Sequence, residues 1–99
     1  MTKPGNKIDR TLCSYVIEYV QKVVSDDISS LLKSVRIQIK QAIEERLTVD
    51  PIGFGKPLRY SLKGLRRLRV GDYRVVYQIK NKSVIILAIK HRKDIYDNA

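Results

Sequence analysis

Residues 64–79 read GLRRLRVGDYRVVYQI, two strand-like runs joined by Gly71-Asp72, with Arg66, Arg67, Arg69 and Arg74 set into them. Glycine at the first central position suits a type II′ turn, and a two-residue turn fixes the register of the strands it joins. Val70 then faces Tyr73, Arg69 faces Arg74, Leu68 faces Val75 and Arg67 faces Val76. Side chains alternate along a strand, so Arg67, Arg69 and Arg74 share one face while Leu68, Val70, Tyr73 and Val75 share the other. Like charges placed opposite each other cost a few tenths to about 1 kcal/mol per pair. Stability therefore does not account for the arrangement. A bound phosphate would, because planar guanidiniums grip phosphate oxygens through two parallel hydrogen bonds and lose their mutual repulsion in doing so.

The following strand runs back toward the same turn, which sets Ile89-Lys90 beside Tyr73 and Arg74. The segment KHRKDIYDNA comes next and draws Lys90, His91, Arg92, Lys93 and Tyr96 toward the arginine cluster. Each piece also has an ordinary reading: a solvated strand face for any single arginine, a structural or exposed ring for His91, a packed chain end for Tyr96. Arg66 alternates onto the mainly apolar face and reads as a strand-edge or snorkelling residue. Tyr15, Tyr19, Tyr60 and Tyr77 read as sheet or interface aromatics.

The elements that must position these residues are legible in outline. LCSYVIEYV (12–20) is β-branched and aromatic, as a first strand should be. Val20, Val23, Val24, Ile28, Leu31, Leu32 and Val35, then Val35, Ile39, Ala42, Ile43 and Leu47, recur near the helical period. They predict a helical hairpin broken near 33–34, with Ser34 as cap of the second helix. DPIGFGKP (50–57) reads as a loop. Three strands follow over 62–70, 73–80 and 83–90, turning at Gly71-Asp72 and Asn81-Lys82. Strand, two helices and an antiparallel meander make an α+β domain with its helices on one face of the sheet. Residues 1–10 are expected to form a flexible tail and 11–99 a single domain.

Composition narrows the partners. Of 99 residues, 20 are Lys or Arg and 10 are Asp or Glu, a net charge of +10. So basic a chain meets a polyanion or an acidic protein. The longest apolar run, Val84–Ile89, is far too short to span a membrane, and residues 1–10 lack the apolar stretch of a signal peptide. Cys13 stands alone, so no internal disulfide or zinc-ligand spacing is present. The carboxylates are not clustered to hold a metal, and no cofactor is expected. A reducing cytoplasm is the natural setting.

The run LRVGDYRVVY (68–77), followed at this distance by HRKDIY (91–96) and preceded by GKPL (55–58), resembles the RelE/ParE superfamily of type II toxins. The resemblance covers most of the chain and implies that superfamily's RelE-like microbial ribonuclease fold. In the RelE branch it implies a metal-independent endoribonuclease, an mRNA interferase acting in the A site of a translating 70S ribosome. It also implies a cognate antitoxin protein as partner, with DNA contacted only indirectly through that antitoxin. The ParE branch, which poisons DNA gyrase without nuclease activity, is the alternative. Carried over by position, the RelE pattern makes Arg67, Arg69, Arg74, Arg92 and Tyr96 site residues, with His91 an acid–base candidate and Lys90 and Lys93 RNA contacts. Where some relatives have lysines this chain has Arg67 and Arg69, and an arginine stays protonated and cannot serve as general base. Where many relatives have glycine, this chain has Lys90.

Overall fold

The computed structural model describes residues 14–59 and 64–91. The expected tail, Tyr60, Arg92, Lys93 and Tyr96 lie outside the described residues. A mixed sheet of five strands runs β1-β5-β4-β3-β2, with β1 (Val16–Tyr19), β2 (Lys56–Pro57), β3 (Arg66–Val70), β4 (Tyr73–Lys80) and β5 (Ser83–His91). β1 pairs parallel to β5, and the other neighbours are antiparallel. The α+β order expected from the sequence is present, with the pair Lys56-Pro57 adding a short strand against Arg66 and Arg67.

The helices pack on one side of this sheet. Val23, Leu31, Ile39, Ala42, Ile43 and Leu47 meet Leu68, Val70, Val75, Tyr77, Val84, Ile86 and Ile89 in a single core. Fully burying one such aliphatic side chain contributes about 1.5–3 kcal/mol. The hairpin break falls before the expected position. A π-helical α1 (Val23–Ile28) gives way at Ser29, and α2 (Lys33–Ala42) starts after an extended Leu32, then continues as a π-helical turn over Ile43–Leu47. Ser34 lies inside α2 and is not its cap, and no side chain caps that end. Val24 and Leu32, placed by period on the apolar stripe, are exposed, because the chain departs from α-helical winding here.

The stretch expected as a loop contains a short helix α3 (Pro51–Phe54). Asp50 caps it, accepting from the Gly53 N–H at 2.9 Å, and Pro51 occupies the first turn, where its missing N–H costs nothing. This segment is tied to the sheet from beneath. The Tyr77 hydroxyl donates to the Pro51 carbonyl, and the Arg66 guanidinium donates to the carbonyls of Ile52 at 2.7 Å and Gly55 at 3.2 Å. Arg66 is thus a cross-link between β3 and the α3 segment, not merely a snorkelling edge residue. Burial pushes the Tyr77 phenol above its ordinary range, with the Arg66 guanidinium beside it pulling the other way.

The β3–β4 hairpin has the expected register: Val70 faces Tyr73, Arg69 faces Arg74, Leu68 faces Val75 and Arg67 faces Val76. Gly71 takes a left-handed φ of 59°, which glycine adopts at no steric cost. The β4–β5 register differs from a plain hairpin. Val76 pairs with Ala88 but Tyr77 pairs with Ile86, so Leu87 is a bulge. That one residue puts Lys90 opposite Arg74 and His91 opposite Tyr73, where the plain hairpin puts Ile89 and Lys90.

Two substitutions check this account. At Gly55 an added Cβ would collide with the Tyr77 hydroxyl, so Gly55→Ala should lower unfolding free energy by about 1–3 kcal/mol in urea. An unchanged midpoint would mean that α3 is not pressed on Tyr77. Arg69→Gln removes one of the opposed charges and should leave stability equal or raise it by roughly 0.2–1 kcal/mol at low salt, with the gain fading near 1 M salt. A clear loss would make Arg69 a structural residue.

Candidate functional site

The arginine face is built by alternation on two strands. Arg67 and Arg69 project from β3 and Arg74 from β4, on the side away from Leu68, Val70 and Val75. Arg69 is exposed, and Arg67 and Arg74 are half-buried. Among the described residues no carboxylate pairs with any of the three. Guanidiniums that face each other favour an anion between them, since binding one relieves their repulsion.

The bulge at Leu87 decides what β5 adds. Lys90 pairs with Arg74 and so starts on the arginine face, with its ammonium directed to Asp27, while Ile89 turns inward and is buried. His91 pairs with Tyr73 on the helix side of the sheet, its ring edge-on to the tyrosine at 5.2 Å between centroids and 85° between planes. The structure therefore brings Arg67, Arg69 and Arg74 onto one face, sets Lys90 at its rim, and leaves His91 at the same end of the sheet but on the opposite face. Arg92, Lys93 and Tyr96 follow His91 in sequence and fall outside the described residues.

Sequence reasoning misses one residue of this region. Asp27 on α1 is buried, accepts a hydrogen bond from the Ile89 N–H at 2.8 Å and lies 3.2 Å from the Lys90 ammonium. A signal is there: Asp27 stands four residues after Val23, on the buried stripe of an otherwise apolar helix face, where an unpartnered carboxylate is costly. A polar groove of about 620 Å³ is lined by Arg69, Val70 and Gly71 of the hairpin and by Gln38, Gln41, Glu45 and Arg46 of the helix layer. Among the described residues no cluster of His, Cys, Asp or Glu is placed to hold a metal ion, and no helix is long and apolar enough to cross a membrane.

What this arrangement can do is bind and stabilise negative charge spread over phosphate oxygens. Residues 20–96 match the family described as the ParE toxin of the type II toxin–antitoxin system parDE. The toxin RelG of Mycobacterium tuberculosis is 44% identical over 52 residues, which is 50% of this chain and 60% of that relative's length. Among solved structures, the toxin–antitoxin complex RelBE2 of M. tuberculosis superposes with a TM-score of 0.74 at 28% identity, covering 82% of this chain and 94% of that one. The isolated RelE toxin of Escherichia coli gives 0.61 at 27% identity, covering 86% and 94%. The chain is RelE-like in structure and belongs to the ParE toxin family of type II toxin–antitoxin systems, within the RelE/ParE superfamily.

Proposed function

We propose that this toxin is a ribosome-dependent endoribonuclease that cleaves messenger RNA and so halts translation. The observation that carries the reading is the opposed pair Arg69 and Arg74, which no carboxylate among the described residues pairs with, and Arg67 beside them. The reaction is attack of a ribose 2′-oxygen on the adjacent phosphorus, with the P–O5′ bond breaking. The products are a 2′,3′-cyclic phosphate and a 5′-hydroxyl. The 2′-hydroxyl proton leaves as the bond forms, and the departing O5′ takes one up. Negative charge peaks on the phosphate oxygens in between, and preorganised donors there stabilise the transition state more than the ground state.

In this reading Arg67, Arg69 and Arg74, joined by Arg92, supply that stabilisation and transfer no proton, since an arginine holds its charge throughout. Tyr96 orients the 2′-hydroxyl or stacks on a base. His91, the acid–base candidate by sequence, packs on Tyr73 on the face opposite the arginines, so this reading gives it no proton to transfer. Lys90 and Lys93 add phosphate contacts along the RNA. A cognate antitoxin silences the toxin, as solved relatives are complexes of RelE with RelB. The site of action is then the A site of cytoplasmic 70S ribosomes.

A second reading, inhibition of DNA gyrase, is favoured by the ParE name of the family matched over residues 20–96. The two separate on induction in bacteria lacking the antitoxin, with messenger-RNA 5′ ends mapped across translated frames. The nuclease reading expects new ends at codon-phased positions, reduced on the order of 100- to 1000-fold by Arg74→Ala. Growth arrest with intact messages and accumulating DNA breaks would replace it with the gyrase reading.

A further inference from the structure

β1 covers only the first half of β5. Val16–Tyr19 pair with Ser83–Ile86, and the last backbone bond from that side runs from the Val20 N–H to the Ile86 carbonyl. Beyond the Leu87 bulge, the outward N–H of Ile89 faces no strand among the described residues. Asp27 takes the strand's place: its Oδ2 accepts from Ile89 N–H at 2.8 Å, while its Oδ1 lies 3.2 Å from Lys90 Nζ.

Lys90 begins on the arginine face, opposite Arg74, yet its ammonium turns over the edge of β5 to a carboxylate held in the helix layer. The Asp27 side chain is 7% exposed and that of Lys90 42%. An edge N–H needs only a neutral acceptor, such as an amide or hydroxyl oxygen. A buried carboxylate costs more to desolvate, so its charge calls for a role that a neutral group cannot fill. An ammonium has three N–H donors, and the one directed at Asp27 leaves the others available toward solvent at the rim of the arginine face.

We propose that Asp27 is a positioning residue for RNA binding: it pins the Lys90 ammonium at the rim, where the remaining donors take the backbone phosphate neighbouring the one held by Arg69 and Arg74. A free lysine would lose rotamer entropy on binding, and the ion pair supplies that order beforehand. The inference rests on the nucleic-acid reading of the arginine face.

The test turns on a sign. Asp27→Asn raises the net charge from +10 to +11, because it removes one negative charge, and keeps an oxygen for the Ile89 N–H. If Asp27 only caps an edge or only offsets charge, this variant binds a polyanion more tightly. The proposal expects the opposite: roughly two- to tenfold weaker binding of a short fluorescein-labelled single-stranded RNA, read by anisotropy across a salt series. The slope of log affinity against log salt should fall by about 0.7, the share of one lost phosphate contact. Lys90→Gln, which keeps a donor for Asp27 and so preserves the fold, should show the same two losses. The double variant should be no worse than either single one.

Equal or tighter binding by Asp27→Asn, a wild-type slope in Lys90→Gln, or additive losses in the double variant would each overturn the proposal. These outcomes leave the nuclease reading standing, since that is judged by codon-phased 5′ ends. No salt-dependent RNA binding by the wild type would overturn both.

Discussion

The two-residue turn at Gly71-Asp72 is the constraint on which the site depends. With the left-handed φ at Gly71 confining the reversal to two residues, every pair from Val70 and Tyr73 outward is determined. The same register that seats Leu68 and Val75 in the core sets Arg69 against Arg74 on the other face. The two consequences cannot be separated. A slip of one residue would move the arginines off their shared face and expose the core positions of β3.

Around this turn the rest of the fold serves as support. Tyr77 and Arg66 fasten the α3 segment to β3 and β4 from the helix side, which holds β2 against Arg66 and Arg67. The Leu87 bulge selects which β5 residue joins the arginines, turning Ile89 into the core and Lys90 outward. Asp27 then takes the Ile89 N–H, which lies beyond the reach of β1. An electrostatic face of like charges is tolerated because the opposite face of the same strands buries a continuous apolar layer.

Much of this is legible in the amino-acid sequence. The hairpin register follows from Gly71-Asp72 and the alternation of arginine with Leu68 and Val70. The helix faces of Ile39, Ala42, Ile43 and Leu47 follow from their period. The bulge is hidden because Val84–Ile89 is apolar throughout, with no alternation to register a one-residue slip. In DPIGF an aspartate precedes a proline, a helix-start pattern that two nearby glycines mask. By helical spacing Asp27 falls on the stripe of Val23, Val24 and Leu31, but what it partners is decided by the sheet, where it accepts from the Ile89 N–H. Partnership across 62 residues of sequence, as between Asp27 and Ile89, leaves no local trace.

The central claim is that a phosphate of the cleaved linkage relieves the repulsion between Arg69 and Arg74. The most direct measurement is a structure of the toxin on a translating ribosome whose message carries 2′-O-methyl groups, so that the attacking hydroxyl is blocked and the bound state persists. The account predicts the phosphate at the blocked linkage within hydrogen-bonding reach of both guanidiniums. A toxin bound with that face turned away from the message, its arginines solvated, would contradict it.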